Sequence, residues 1–93
     1  MSDISIAKFR IGRIVATPNA LDVISNQDIW KGISRHQSGD WGDMDEHDRQ
    51  ENESSLKEGL RLFSVYHSTA GVKFWIITEA DRSVTTVLLP EDY

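Results

Sequence analysis

The feature that most constrains the fold lies in the last third of the chain. From Leu60 to Leu89, three short β-prone runs alternate in phase, broken at Ser68-Thr69-Ala70-Gly71 and at Ala80-Asp81-Arg82-Ser83, and Pro90 stops the last. Successive side chains of a strand point to opposite faces, so alternation at a period of two specifies strands and the small, polar breaks specify hairpin connections. The reading is a meander with strands over residues 60–67, 72–79 and 84–89. Phe74 and Ile76 stand opposite Trp75 and Ile77, so both faces of the sheet carry bulky apolar groups. One face is expected to pack against helices while the other curls or meets a partner.

The rest of the chain supplies the helices and a fourth strand. Residues 9–17 are β-prone, and Gly12 shifts the phase between Phe9-Ile11 and Ile14-Ala16, the pattern of a bulge. Thr17-Pro18 offers a capping hydroxyl followed by a proline whose missing N–H costs nothing in a first helical turn. That helix would turn Leu21 and Ile24 inward. Ser25 to Asp28 breaks and recaps the chain, and Ile29, Trp30 and Ile33 continue as a second amphipathic helix ending near His36, with a loop over residues 37–42. A third helix is expected over about residues 45–58, because Asp43 and Asp45 are good caps, acids crowd its positive end and Gly59 suits the left-handed terminus. Its inward stripe runs through Met44, Asp48, Glu51, Asn52, Ser55 and Leu56 and is apolar only at its ends. Either this helix barely buries itself, or Asp48 and Asn52 reach inward to partners, since a buried unsatisfied polar group costs ~1–3 kcal/mol.

The fold class is therefore α+β: a mainly antiparallel four-stranded sheet with two to three helices inserted between strand 1 and strand 2. A chain of 93 residues supports a single core, so residues 1–93 read as one domain, with residues 1–8 a loose N-terminal arm. The chain has no cysteine, which removes thiol catalysis, Cys-ligated zinc, iron–sulfur clusters and disulfides. No run approaches the ~18 apolar residues of a membrane span and the N-terminus has no apolar targeting block, so the expected location is the cytoplasm.

Charge is the second constraint. Fifteen acids against ten bases give −5, but the distribution is uneven. Residues 39–58 hold eight acids (Asp40, Asp43, Asp45, Glu46, Asp48, Glu51, Glu53 and Glu58) against Arg49 and Lys57, hence −6, whereas residues 1–38 hold five bases and three acids, hence +2. Such a segment either keeps a small protein soluble as a solvated helix face or presents a negative surface, felt over a Debye length of ~8 Å, to a cationic partner. Trp41 stands alone in this acidic stretch as a candidate anchor, or as a plug for the end of the sheet. Basic groups are too scattered for a nucleic-acid groove, although Lys8, Arg10 and Arg13 line the first strand.

Candidate chemistry is sparse. Counting from Asp40, the third and fifth positions of a calcium loop fall on Gly42 and Met44, which offer no side-chain oxygen, so no metal site is assigned. Thr78 to Ser83 packs Glu79, Asp81, Arg82 and two hydroxyls into one turn. In a metal-independent ribonuclease a carboxylate takes a proton from the 2′-hydroxyl, an arginine holds the phosphate and a histidine protonates the leaving group; Glu79, Arg82 and His36 supply those types. The plainer reading has Asp81 bonding the turn backbone, Arg82 pairing with Glu79 or Asp48, and His36 as a hydrogen-bonded core histidine. No phosphate cradle, nucleophile elbow or zinc-protease motif is present.

Three blocks carry a resemblance: residues 9–21 (FRIGRIVATPNAL), Arg35-His36 with Ser38-Gly39-Asp40-Trp41-Gly42-Asp43, and residues 75–83 (WIITEADRS) with Thr85-Thr86 and Leu88 to Tyr93. In this order, over nearly the whole chain, they resemble a family of small plasmid-related proteins, sometimes mislabelled as a type I restriction subunit. The resemblance implies a gene carried on plasmids, integrative elements and phages, often beside anti-restriction genes. Together with the acidic segment, it implies a stoichiometric anti-CRISPR or anti-restriction inhibitor. Such a protein would need no cofactor and would bind a basic surface of a bacterial defence complex through Asp40, Trp41, Asp43, Asp45, Glu46, Asp48, Glu51 and Glu53. The alternatives are the ribonuclease or toxin reading and a regulatory module that forms a homodimer or larger oligomer through the second sheet face.

Overall fold

The computed structural model describes residues 7–93. Strand β1 (Arg13–Ala16) leads into helices α1 (Pro18–Val23), α2 (Asn26–Gln37) and α3 (Glu46–Glu58). The strands β2 (Leu62–His67), β3 (Lys73–Thr78) and β4 (Val84–Leu88) follow, and a 3-10 turn, Pro90–Asp92, closes the chain. The four strands form one sheet in the order β1-β4-β3-β2. The meander is antiparallel, Leu62 opposite Thr78 and Trp75 opposite Leu88. β1, however, pairs with β4 in parallel, Ile14 opposite Thr85 and Ala16 opposite Val87, so the sheet is mixed: two of its three pairings are antiparallel, as expected, and the third is parallel. Alternation gives a strand its faces but not its direction, and these two strands meet across some 70 residues of intervening chain. The three helices do follow β1 and precede β2 in the chain, but β1 and β2 are opposite edges of the sheet, so the helices cross it rather than fill a gap between neighbouring strands.

Each helix begins where its cap chemistry dictates. Thr17 Oγ1 accepts the Ala20 N–H at 3.1 Å, Ser25 Oγ that of Asp28 at 3.1 Å and Asp45 Oδ1 that of Asp48 at 2.9 Å. Gly59, at φ 71°, closes α3 in the left-handed conformation. Ala20, Ile24, Ile29, Ile33, Tyr66, Phe74, Ile76, Val87 and Leu89 form the core, with Ile14 and Ala16 against it, so the helices cover the sheet face that carries Tyr66, Phe74, Ile76 and Val87. Leu21 and Trp30, expected inward, are instead exposed, because Ala20 and Ile29 hold the inward positions of their helices. Gly12 lies before β1 at φ 61° and makes no bulge; a Cβ there would run into the carbonyls of Arg82 and Ser83. Of the expected arm, residues 1–6 lie outside the described residues, and the Lys8 N–H donates to the Gln37 carbonyl at 2.8 Å.

The outer edge of β2 is closed by the chain before it. The Val65 N–H donates to the Trp41 carbonyl at 3.1 Å and the Asp43 N–H to the Val65 carbonyl at 2.8 Å. One step along, the Asn52 side chain from α3 receives the Phe63 N–H at 3.2 Å and donates to the Phe63 carbonyl, so a side-chain amide stands in for a neighbouring strand. Only glycine fits at position 42, where φ is 80° and a Cβ would strike the Val65 carbonyl.

Candidate functional site

Asn52 sets the orientation of α3. It is the helix's one buried residue, and by clasping Phe63 it turns the inward stripe toward β2 and leaves most of the acids facing solvent. Asp48, the other residue expected to reach inward, is exposed.

The fate of each acid follows from its neighbours. Asp40 is neutralised by the protein itself: Arg35 donates from Nε at 2.7 Å and from Nη2 at 3.3 Å, and the Gly42 N–H adds a bond at 3.1 Å. The Arg35 bond leads in holding the Asp40 carboxyl below the usual carboxylate range. Asp43 meets His67 Nδ1 at 2.6 Å. Asp45 is spent on capping α3, and Glu46 accepts from Gln50 at 3.3 Å. Glu53 accepts the Trp41 indole N–H at 2.8 Å. No lysine or arginine among the described residues forms an ion pair with Glu46, Asp48, Glu51, Glu53 or Glu58. Arg49, which follows Asp48 directly, turns inward and donates to the carbonyls of Gly42 at 2.8 Å and Met44 at 3.2 Å. A hollow of about 240 Å³ lies between this face and β2, bounded by Asp48, Glu51, Arg61 and Phe63. His47, Asp48 and Glu51 bring donor atoms within 4.8 Å of one another on the exposed first turns of α3 and could share a divalent cation.

Trp41 does not belong to this surface. It is 1% exposed, with its ring stacked on Phe9 at a centroid separation of 6.1 Å and T-shaped to His36 at 5.7 Å, so it plugs the end of the core and offers a partner almost no surface. The loop expected to display it is drawn in by Tyr66, whose hydroxyl donates to the Asp40 carbonyl at 2.6 Å, and by the pairing with Val65.

His36 lies deeper still, fully buried under α2. Its Nδ1 is 2.6 Å from Ser64 Oγ and its Nε2 2.9 Å from Thr78 Oγ1; Thr78 Oγ1 is in turn 2.7 Å from Thr85 Oγ1, which donates to the Ile11 carbonyl at 2.7 Å. These bonds have one direction. Thr85 spends its proton on Ile11, so Thr78 donates to Thr85, His36 Nε2–H donates to Thr78, and Nδ1 accepts from Ser64. Burial, with the nearby Arg82 charge adding to it, drives the His36 pKa down to about 3.

The structure brings Glu79 and Arg82 into one turn but does not give them His36 as a partner facing solvent. Glu79 pairs with Arg61 at 3.4 Å, and Arg82, at φ 63°, donates to the carbonyls of Leu60 at 2.6 Å and Glu79 at 3.2 Å. Arg82 thus bonds backbone oxygens rather than the carboxylates of Glu79 or Asp48. Asp81 accepts from the Ser83 N–H at 3.0 Å and hydroxyl at 2.6 Å, as a turn aspartate does. A neutral histidine with both nitrogens engaged and no solvent contact is not arranged to protonate a leaving group.

Comparison with known protein families, with curated proteins and with solved structures finds no match for this chain.

The sequence reading placed the Thr78 hydroxyl in the turn with Glu79 and Arg82 and passed over Ser64 and Thr85; Ser64 and Thr78 receive His36, and Thr85 continues the chain from Thr78. Their signal was present: they are polar residues on the inward phase of strands that are otherwise apolar on both faces. It overlooked Arg61 and Tyr93 as well. Arg61 donates to the Tyr93 hydroxyl at 2.8 Å, and the Tyr93 ring meets Trp75 edge-on at 5.7 Å on the side of the sheet away from the core.

Proposed function

We propose that this protein is a stoichiometric inhibitor carried on a mobile element, which binds a basic surface of a bacterial CRISPR or restriction complex through the solvent face of α3. One observation carries the reading: Glu46, Asp48, Glu51 and Glu58 stand on a single helix with no ion pair to a lysine or arginine among the described residues, while Arg49 is drawn away to backbone carbonyls. Carboxylates spaced along a rigid helix mimic the charge of a phosphate backbone, and a surface built to hold nucleic acid attracts them at long range. The arrangement needs neither turnover nor a cofactor. The working surface is narrower than the acidic segment as a whole, since Asp40 is paired internally and Trp41 is buried.

The test is restoration of phage plating or plasmid transformation in hosts that carry defined CRISPR and restriction systems. The natural chain should restore it in at least one host, and the variant Glu46→Gln/Asp48→Asn/Glu51→Gln/Glu58→Gln should lose the effect with an unchanged circular dichroism spectrum and melting temperature. Binding to the defence complex recovered from that host should weaken as salt rises. Full protection by the neutralised variant would exclude this face as the contact surface.

A further inference from the structure

The two edges of the sheet are finished differently. β2 is sealed at Phe63 and Val65 by Asn52, Trp41 and Asp43. β1 is not. Its parallel register with β4 uses the N–H and C=O groups of Arg13 and Val15, with Arg13 N–H to the Ser83 carbonyl at 2.9 Å and Thr17 N–H to the Val87 carbonyl at 3.0 Å marking its two ends. The backbone groups of Ile14 and Ala16 therefore point away from the sheet, and they have no hydrogen-bond partner among the described residues. Between them Val15 is 37% exposed, on the sheet face away from the core.

We propose that this open edge pairs with the same edge of a second copy of the chain, antiparallel and with Val15 on the two-fold axis. The register follows from which groups are free. With Val15 opposite Val15, Ile14 of each copy faces Ala16 of the other, and their outward N–H and C=O groups exchange hydrogen bonds in both directions. Val15 then occupies a non-hydrogen-bonded pair, in which side chains approach most closely and β-branched residues stabilise the pairing. The same register brings Arg13, which forms no ion pair among the described residues, opposite Thr17 of the second copy. The Thr17 hydroxyl donates to Asp92 at 2.6 Å, so a carboxylate waits where the guanidinium arrives. Charge complementarity thus selects a second copy in this register, and the like charges of the two Arg13 side chains lie at opposite ends of the pairing. The result is a continuous eight-stranded sheet whose outer edges are the two sealed β2 strands. The surface involved is separate from the acidic face of α3, so this pairing stands or falls independently of the inhibitor reading.

The test is sedimentation velocity of the full chain over a range of concentrations, together with Val15→Lys, which places a charge on the axis at an already exposed position. The natural chain should show a concentration-dependent monomer–dimer equilibrium that weakens with salt, and Val15→Lys should sediment as a monomer with an unchanged circular dichroism spectrum. Because the chain has no cysteine, Val15→Cys is a clean second probe. Cβ atoms of a directly opposed pair lie about 4.5–5.5 Å apart, close enough for an oxidant to join them with little movement. Val15→Cys should therefore form a covalent dimer under mild oxidation much faster than Ser54→Cys on α3. A natural chain that remains monomeric at every concentration, a dimer that survives Val15→Lys, or equal cross-linking at both positions would overturn the proposal.

Discussion

His36 Nδ1 and Ser64 Oγ meet 2.6 Å apart with no solvent contact, joining α2 to β2 across 28 residues of chain. With Thr78, Thr85 and the Ile11 carbonyl they form one continuous chain of hydrogen bonds that fixes how α2 sits on the sheet. An apolar helix face tolerates small rotations, whereas a buried polar chain tolerates none without leaving a donor or acceptor unpaired.

His36→Ala should therefore cost more than its lost contacts. It strips partners from Ser64 and Thr78 and opens a cavity, and a loss of about 2–4 kcal/mol in chemical denaturation is expected. His36→Phe should recover the volume but not the stability, because the hydroxyls stay unpaired. A Phe variant as stable as the natural protein would show that the chain of bonds contributes little.

The same histidine makes stability depend on pH. Its pKa is about 3 in the folded protein against 6.5 unfolded, so between these values the unfolded chain binds a proton that the folded chain does not. Its contribution is fully present above about pH 6.5 and declines as pH falls, by at most about 1.4 kcal/mol per pH unit. Denaturant midpoints measured from pH 7 to pH 4 should fall steadily, and the slope between pH 6 and pH 4.5 should largely vanish in His36→Gln. The carboxyls of Asp40 and Asp92, also held below their usual range, add to the loss at still lower pH.

Asn52→Ala should unseal β2. The Phe63 N–H and C=O lose their shared partner, and a loss of about 1–2 kcal/mol is expected together with a strand edge open to pairing between molecules. Light scattering of concentrated samples at moderate temperature would detect that pairing. Asn52→Asp keeps an acceptor for the Phe63 N–H but turns a buried carboxylate oxygen toward the Phe63 carbonyl, so it should destabilise at least as much as Asn52→Ala.

Gly42→Ala combines a left-handed backbone with a clash against the Val65 carbonyl, so it should destabilise by about 2–3 kcal/mol or more. Gly71→Ala is the control: its φ is 85° but the space around it is open, so it isolates the backbone cost, about 1 kcal/mol. Thermal melts of the two variants should differ clearly. Equal melting temperatures would mean that the close approach at Gly42 is relieved by a local shift.

Much of the fold was legible because local rules act on it alone. The meander, the caps at Thr17, Ser25 and Asp45 and the left-handed Gly59 rest on side-chain alternation or on one residue bonding its near neighbours. The parallel pairing of β1 was not legible, since strand direction depends on where the chain returns after three helices. Among the candidate site residues, the acids of α3 could be placed on a helix but not sorted. Whether Asp40 is free depends on Arg35 across a helix end, and whether Arg49 neutralises the helix depends on two carbonyls of the preceding loop. His36 could be read as a core histidine, but its two partners come from different strands, Ser64 on β2 and Thr78 on β3.

By itself the sequence determined the kinds of element, their order and the concentration of acid between residues 39 and 58, because periodicity, caps and charge are properties of neighbours along the chain. Only the tertiary structure decided which side of each element meets which other. It buried Trp41, aligned His36 with Ser64 and Thr78, gave β2 a sealed edge and left β1 without one among the described residues, because those outcomes are set by pairings between residues far apart in sequence, which no local pattern encodes.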